Sequence, residues 1–356
     1  MKLIIAFVSY LLLTGNTFGQ YNPQNGVSSS KGDIIGIVNA HIYVSSTQEY
    51  KNGEILIEEG KILKIGKKIK MPKGAQVFDL KGRTVLPAFI ELNSNIGIVT
   101  EKKESSRSYK PQIESNKGSS FYWNEAIHPE VDASVMYSKN KALIKDINQK
   151  GFGFFVSHSN EGIVRGTGLL VSANGDNLSS DILSPQIASY YSLNKGNSKQ
   201  SYPSSQMGSI ALLRQSFYDF QYYTKSDLNF TDLSMEAWKS QMHLPRFFQT
   251  ADKLEILRAS KIANEFNSSF IYLGSGNEYE AIDPLKKLNS KIVVPINFPD
   301  AYDVSDPYIS RLIPLSQLKH WELAPLNFKI LKENNIEVAI SSSGLKSADQ
   351  FWKNIR

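Results

Sequence analysis

The 356-residue chain contains no cysteine. It can therefore form no disulfide bond, offer no thiolate as ligand or nucleophile, and carry no lipid on an N-terminal cysteine. Histidine is scarce as well: the chain has five, and no two of them are two or four positions apart, as the paired histidines of common metal motifs are. Beyond the first 19 residues no apolar run approaches the length of a membrane span. Thiol enzymes and disulfide scaffolds are thereby excluded, and no membrane-spanning helix is expected beyond residue 19.

The chain also lacks a large cluster of charged residues of one sign. Its formal net charge of +6 comes from lysines scattered along a composition that is 41% apolar and 21% charged, as in ordinary globular proteins. The densest group lies on a turn between predicted strands, without an aromatic platform or a nucleic-acid motif beside it. It favours a solvated hairpin face over a nucleic-acid site. The group consists of Lys61, Lys64, Lys67, Lys68 and Lys70.

The N-terminus has the pattern of an export signal. Lys2 precedes an apolar run from Leu3 to Leu13, and Thr17 and Gly19 supply small residues at positions −3 and −1 of a cleavage site before Gln20. A buried N-terminal strand is the alternative interpretation. We therefore predict a signal peptide over 1–19, a flexible polar leader over 20–32, and an exported protein, periplasmic or extracellular.

Two kinds of pattern follow along the chain. Residues 33–83 contain short β-like segments divided by the turn signals Asn52-Gly53 and Glu59-Gly60. From residue 84 to 356, predicted strands alternate with predicted helices, which favours a parallel (β/α) barrel. The predicted strands cover 152–157, 162–171, 246–250, 269–273, 291–296 and 337–341, and the predicted helices lie near 132–149, 206–224, 252–266, 278–288 and 325–334.

The stretch KGRTVLPAFIELNSNIG, residues 81–97, links the two parts. Alternation puts Asn93 and Asn95 on one side of an extended chain, at the end of a buried strand where a barrel enzyme keeps its catalytic groups. This stretch resembles the first barrel strand of the amidohydrolase superfamily, whose pattern is approximately G-x-x-V-x-P-G-F-I-D-x-H-x-H. Residues 33–83 resemble the small β-sandwich that precedes the barrel in that family. The matching positions are Gly82, Val85, Pro87, Phe89 and Ile90, with Glu91 as the acidic residue.

The resemblance implies an (β/α)8 TIM-type barrel over 84–356, preceded by a β-sandwich part over 33–83. It also implies that the chain ends inside the last barrel helix, so that the barrel is incomplete at its C-terminal end. In the family a divalent metal, usually Zn²⁺, activates a water molecule for attack on an amide or ester carbon. At the positions of the family's metal ligands this chain has Asn93, Asn95, Gln249, Gly274 and Ser343.

Because all the expected ligands are replaced, we predict a catalytically inactive domain that needs no metal cofactor and acts as a scaffold or binding partner. The chain resembles the N-terminal half of large exported bacterial proteins with two amidohydrolase-type halves, so a second half or chain is the expected partner. No nucleic-acid partner and no stable membrane insertion are expected.

The alternative is an active, exported hydrolase of the imidazolonepropionase-like branch, which acts on carbon–nitrogen bonds other than peptide bonds through a rearranged metal site. His128 and His158 are the histidines expected near the barrel mouth, and His158 with Glu161 is a candidate acid/base pair. A carbohydrate- or peptide-binding module is a third hypothesis, suggested by Phe121, Tyr122 and Trp123 and the long polar loop before them.

Overall fold

The computed structural model describes residues 34–100, 110–173 and 181–356, and the chain divides into two compact units between Pro87 and Ala88. The predicted signal peptide, 1–19, and leader, 20–32, lie outside the described residues. In the described ranges no helix is both long and apolar enough to cross a lipid bilayer.

The first unit is a five-stranded mixed sheet in the order β3-β2-β1-β4, with β5 also paired to β1. The β1–β2 and β2–β3 pairs are antiparallel, whereas β4 and β5 run parallel to β1. Glu59 and Gly60 form the predicted hairpin turn, with φ of 50° and 74°, both positive as a type I′ turn requires. Where a sandwich was predicted, the described residues form one sheet. The strands are β1 Ile34–Tyr43, β2 Glu49–Glu58, β3 Lys61–Gly66, β4 Gln76–Asp79 and β5 Thr84–Val85.

The second unit is built on an eight-stranded sheet whose strands neighbour each other in chain order. The sheet curls into a nearly closed barrel, with an apolar interior cluster that includes Val156, Tyr190, Phe247 and Val293. Larger apolar clusters lie between the strands and the surrounding helices. The strands are β6 Phe89–Ser94, β7 Phe152–His158, β8 Val164–Ser172, β9 Ile182–Ser192, β10 Arg246–Gln249, β11 Ile271–Leu273, β12 Lys291–Pro295 and β13 Glu337–Ser341.

The helices of the second unit begin mostly at polar residues that cap their first turn. Asp252, for example, accepts a hydrogen bond from the backbone N–H of Glu255 at 2.8 Å, as the sequence predicts for the helix near 252–266. The described helices are α1 Ala133–Met136, α2 Lys141–Gln149, α3 Gln206–Lys225, α4 Leu233–Ser240, α5 Lys253–Glu265, α6 Ile282–Leu288, α7 Pro307–Leu312, α8 Leu315–Leu323, α9 Asn327–Glu333 and α10 Ala348–Ile355, with 3₁₀ turns at Glu278–Ala281 and Ala324–Leu326.

The strand β8 departs from the predicted all-parallel barrel, because it pairs antiparallel with both β7 and β9. Chain length explains the difference. A parallel crossover needs a dozen residues or more, whereas five residues separate β7 from β8 and nine separate β8 from β9. The prediction of an (β/α)8 barrel is therefore wrong in this strand, and the other seven strands run parallel. The reversed direction brings the start of β8 to the C-terminal ends of β7 and β9.

The two edges of the barrel, β6 and β13, have no backbone ladder between them in the described sheet. The carboxylate of Glu91 on β6 spans the gap instead. It accepts hydrogen bonds from the hydroxyl of Ser341 at 2.7 Å and from the backbone N–H and hydroxyl of Ser342 at 2.6 and 2.8 Å. After β13 the chain continues into α10, and the predicted truncation of the barrel stays a prediction.

Candidate functional site

Polar side chains follow the apolar interior of the barrel at the C-terminal ends of three parallel strands. Successive side chains of a strand point to opposite faces, so the residue two positions beyond an interior residue faces the same side. This edge is where barrel enzymes assemble their sites. His158, Ser192 and Gln249 follow the interior residues Val156, Tyr190 and Phe247 in this way.

His158 is fully buried at the end of β7. Its ring stacks on Tyr190, with 3.6 Å between ring centroids, and its Nδ1 lies 2.9 Å from the carbonyl oxygen of Ser159. Burial lowers the pKa of His158 to about 3, and the positive charge of Arg165 acts in the same direction. The imidazole is therefore neutral at pH 7, and it donates its single N–H to Ser159.

Asn93 contacts the other nitrogen of this ring, with 3.2 Å between Nε2 of His158 and the amide oxygen position of Asn93. A neutral ring that donates from Nδ1 needs a donor at Nε2, so the amide of Asn93 presents its NH₂ group there. Asn95 lies elsewhere. Strand β6 ends at Ser94 after a register shift, and Asn95 is exposed beside a surface cleft that Gly97 and Ser138 also line. The structure thus separates the two asparagines.

Arg165, at the start of β8, is only 3% exposed. Its guanidinium donates to the carbonyl of Gly162 at 2.9 Å, to the hydroxyl of Ser192 at 3.0 Å and to the amide oxygen of Gln249. Burial lowers the pKa of Arg165 to about 10, a change that Glu161 partly opposes, and the group remains a cation at pH 7. Gln249 is therefore engaged by a buried cation.

Gly274 follows β11 directly and leaves space that a carboxylate occupies. A Cβ atom at position 274 would lie 2.5 Å from Oε1 of Glu278. Glu278 is fully buried and accepts hydrogen bonds from the backbone N–H groups of Ser275 at 2.6 Å and Gly276 at 3.1 Å and from the amide of Asn327 at 2.7 Å. The carboxylate thus stabilises its own loop.

Ser343 follows β13, and its backbone N–H donates to the hydroxyl of Ser341 at 3.0 Å. Glu91, which bonds that hydroxyl, is 1% exposed. Burial raises the pKa of Glu91, and hydrogen bonds from Ser341, Ser342 and the backbone of Asn93 oppose the rise. The end of β13 is therefore part of the link between the barrel edges.

His128 packs against Gly162, and Glu161 precedes this glycine in the chain, but neither residue is bonded to His158. A Cβ atom at Gly162 would lie 2.0 Å from Nε2 of His128, and burial lowers the pKa of His128 to about 4. Glu161 accepts a hydrogen bond from the backbone N–H of Asn197 at 2.6 Å. His158 is instead bonded to Ser159 and Asn93, so the structure does not bring together the suggested acid/base pair of His158 and Glu161.

Sequence reasoning did not single out Arg165, and it treated Glu91 as part of a motif only. A signal for Arg165 existed: it is the one charged residue within the predicted strand 162–171, and a cation in a buried strand needs polar partners. The role of Glu91 depends on Ser341, 250 positions away, which no local pattern could indicate.

The residues at these strand ends do not fit a zinc site. Zinc requires imidazole, thiolate or carboxylate ligands, usually three or more together. In the described ranges no three such residues are grouped so that they could hold a metal ion. The strand-end positions carry amides, a glycine and a serine, and a guanidinium lies among them, which disfavours a second cation nearby.

No protein-family model and no curated protein matches the chain. Among solved structures, an amidohydrolase from Thermotoga maritima MSB8 is similar, with a TM-score of 0.66 and 20% sequence identity over 90% of this chain and 83% of that chain. A second amidohydrolase (TM-score 0.45, 13% identity, 90% and 82% covered) and a dihydroorotase (TM-score 0.35, 14% identity, 87% and 64% covered) are matched more loosely. The resemblance to the amidohydrolase superfamily is thus confirmed at the level of the fold: the chain has an amidohydrolase fold.

Proposed function

We propose that this chain is a non-hydrolysing domain of amidohydrolase fold that works by binding. One observation carries the proposal: the strand-end side chains bond to one another and leave no set of zinc ligands. Asn93 is bonded to His158 and Gln249 to Arg165. The space beside Gly274 belongs to Glu278.

The chemistry of the donors supports the same proposal. Amide oxygens are weak ligands for zinc compared with imidazole or carboxylate. His158 is the one imidazole bonded to these strand-end side chains in the described chain, and both of its nitrogens are already hydrogen-bonded. These side chains support no metal-dependent step, because nothing in this set would hold a metal ion in place.

The test is the metal content of the purified mature chain, by elemental analysis, before and after incubation with Zn²⁺ and dialysis. We expect no zinc to be retained and no turnover of a panel of amides and lactams. A His158→Ala variant serves as the control, and its background rate should equal that of the wild type. Near-stoichiometric zinc that resists dialysis, with turnover lost in His158→Ala, would favour the alternative, an active imidazolonepropionase-like hydrolase with a rearranged site.

A partner chain of amidohydrolase type and an exported location remain part of this proposal. Helices α7 and α8 support the partner, because neither buries a residue although both carry large apolar side chains such as Leu312, Leu315 and Trp321. The apolar run after Lys2 supports export. Cell fractionation of the full chain tests its location, and light scattering with and without a co-expressed amidohydrolase-type chain tests the association.

A further inference from the structure

A cavity of about 750 Å³ opens at the C-terminal ends of β9 and β10, beside the N-terminus of α3. Its lining is mainly hydroxyl and amide side chains. Among the described residues that line it, Arg165 and Lys195 are cationic and Glu255 is anionic, so the lining carries a net charge of +1 (two cations, one anion). The volume lies within the range typical of small-molecule sites.

The charge of Arg165 has no anionic partner in the described part of the chain. Its three hydrogen bonds go to neutral acceptors, on Gly162, Ser192 and Gln249. A guanidinium has five N–H groups, so two remain after these bonds. The carboxylate of Glu161 is close enough to affect the pKa of Arg165, but it bonds the backbone of Asn197 instead.

A buried guanidinium without an anionic partner is energetically unfavourable unless a ligand supplies the negative charge. Buried charges in proteins are normally paired, since removing an ion from water is energetically unfavourable. Here the cation is 97% buried, at the wall of an open cavity, and is held in place by three side-chain and backbone acceptors. We propose that the cavity binds a small organic monocarboxylate whose carboxylate group pairs with Arg165.

The other charges of the cavity favour a monoanion. Glu255 is bonded to the amide of Gln206 at 2.6 Å and to the backbone N–H of Ala251 at 2.8 Å, and it adds a negative charge to the wall. A phosphate group carries about −1.5 to −2 at neutral pH, so it suits a net +1 lining less well than a carboxylate does. Lys195, whose ammonium donates to the carbonyl of Gln200 at 2.8 Å, is the second cation that attracts the ligand.

The other residues that line the cavity indicate which groups the rest of the ligand carries. Asn160, Ser204 and Thr250 line the cavity and offer hydroxyl and amide groups, as does the first turn of α3. A hydroxy- or acylamino-substituted monocarboxylate matches these groups better than a purely apolar acid does. This inference rests on the proposed binding function and names the ligand class for the same barrel mouth.

Calorimetric titration and thermal shift of the full mature chain test the inference, with N-acetylglycine as the probe and its neutral amide, N-acetylglycinamide, as the matched control at equal ionic strength. Inorganic phosphate forms a further arm. Lactate and 3-hydroxybutyrate extend the carboxylate panel. The variants are Arg165→Met, Lys195→Gln and, as a control outside the cavity, Arg214→Gln, which removes a surface ion pair to Glu265.

We expect at least one carboxylate to bind and raise the melting temperature, and the neutral amide to have no effect. Loss of a charge-assisted bond should weaken binding roughly tenfold or more in Arg165→Met, whereas Arg214→Gln should bind as the wild type does. Lys195→Gln should weaken binding a few-fold (about two- to fivefold) because its charge acts at longer range, and this variant keeps the test decisive if Arg165→Met does not fold.

The inference would be overturned by no binding of any carboxylate in the panel, by equal binding of the acid and its neutral amide, or by tighter binding of phosphate. Unchanged carboxylate affinity in both Arg165→Met and Lys195→Gln would do so as well. These results differ from the results that would refute the proposed function. Retained zinc with amide turnover would refute the binding role, whereas a zinc-free, inactive protein that ignores carboxylates would refute the ligand class alone.

Discussion

Replacement of Glu91 by alanine should open the barrel at its weakest edge. The Glu91 carboxylate receives four hydrogen bonds, three of them from Ser341 and Ser342 across the gap between β6 and β13 and one from the backbone of Asn93 at 3.0 Å. No backbone ladder joins these two strands in the described sheet. The Glu91 side chain therefore links β6 to β13, as backbone hydrogen bonds link the other neighbouring strands of the barrel.

The magnitude follows from the groups left behind. In Glu91→Ala the hydroxyls can turn to other acceptors, but the backbone N–H groups of Asn93 and Ser342 stay buried and unpaired, at about 1–3 kcal/mol each. Removal of a buried charge offsets part of this cost. We expect a net loss of about 3 kcal/mol in the free energy of unfolding. Ser341→Ala, which removes one donor, should cost about 1 kcal/mol.

Urea unfolding followed by tryptophan fluorescence measures this change selectively, because all four tryptophans lie in the barrel unit, at positions 123, 238, 321 and 352. A double-mutant cycle is the control: Ser341→Ala should cost about 1 kcal/mol less once Glu91 is alanine, and the cost that remains is the loss of the acceptor for the backbone N–H of Ser343. If Glu91→Ala unfolds within about 1 kcal/mol of the wild type, or if the two substitutions are additive, Glu91 does not close the barrel.

The stability that Glu91 contributes should also depend on pH in a definite direction. Burial raises the pKa of Glu91 above its ordinary value of 4.5. A carboxyl whose pKa is raised on folding contributes stability that is complete below the unfolded value and is lost as the pH rises through the folded value. The difference between wild type and Glu91→Ala should therefore be larger at pH 4.5 than at pH 8. A difference that grows with pH would contradict the assigned direction.

Two further predictions concern the histidines. Gly162→Ala should destabilise the barrel by about 2 kcal/mol more than Gly276→Ala. Both glycines have a positive φ (90° and 99°), but only a Cβ at position 162 would collide with His128, at 2.0 Å. Equal losses of unfolding free energy in the two variants, measured by urea unfolding, would contradict this collision. The pKa of His158 falls from 6.5 to about 3, so its neutral form stabilises the fold above pH 6.5, and this stabilisation is lost as the pH falls toward 3. The unfolding free energy of wild type should therefore fall by up to about 1.4 kcal/mol per pH unit relative to His158→Gln between pH 6 and 4, and parallel profiles would refute it.

Much of the architecture could be predicted from periodicity and turn residues. The helix predicted near 206–224 spans Gln206–Lys225, and the strand predicted at 337–341 spans Glu337–Ser341. Strand β9, Ile182–Ser192, was missed, because Pro185 and several polar residues interrupt its apolar pattern. The antiparallel course of β8 was also missed, although the five residues before it already ruled out a parallel crossover.

The candidate site was less predictable, because its contacts join residues far apart in the chain. The strand-end positions Asn93 and Gln249 could be found by motif, but their partners His158 and Arg165 lie 65 and 84 positions away. Alternation placed Asn95 beside Asn93, and the register shift in β6 separates them. Local sequence patterns predict which face of a strand a residue occupies. Bulges and side-chain hydrogen bonds between distant residues determine its position in the folded site.

The side chains at the strand ends depend on one another, and this argues that single substitutions would not build a metal site there. A histidine at Gly274 would place its Cβ 2.5 Å from the carboxylate of Glu278, whose hydrogen bonds stabilise the following loop. A histidine at Gln249 would remove an acceptor from Arg165 and leave more of its buried charge unsatisfied. Each replacement therefore destabilises the barrel before it adds a ligand. The polar groups at this edge hold the buried cation of Arg165, with which the carboxylate of the proposed ligand would pair.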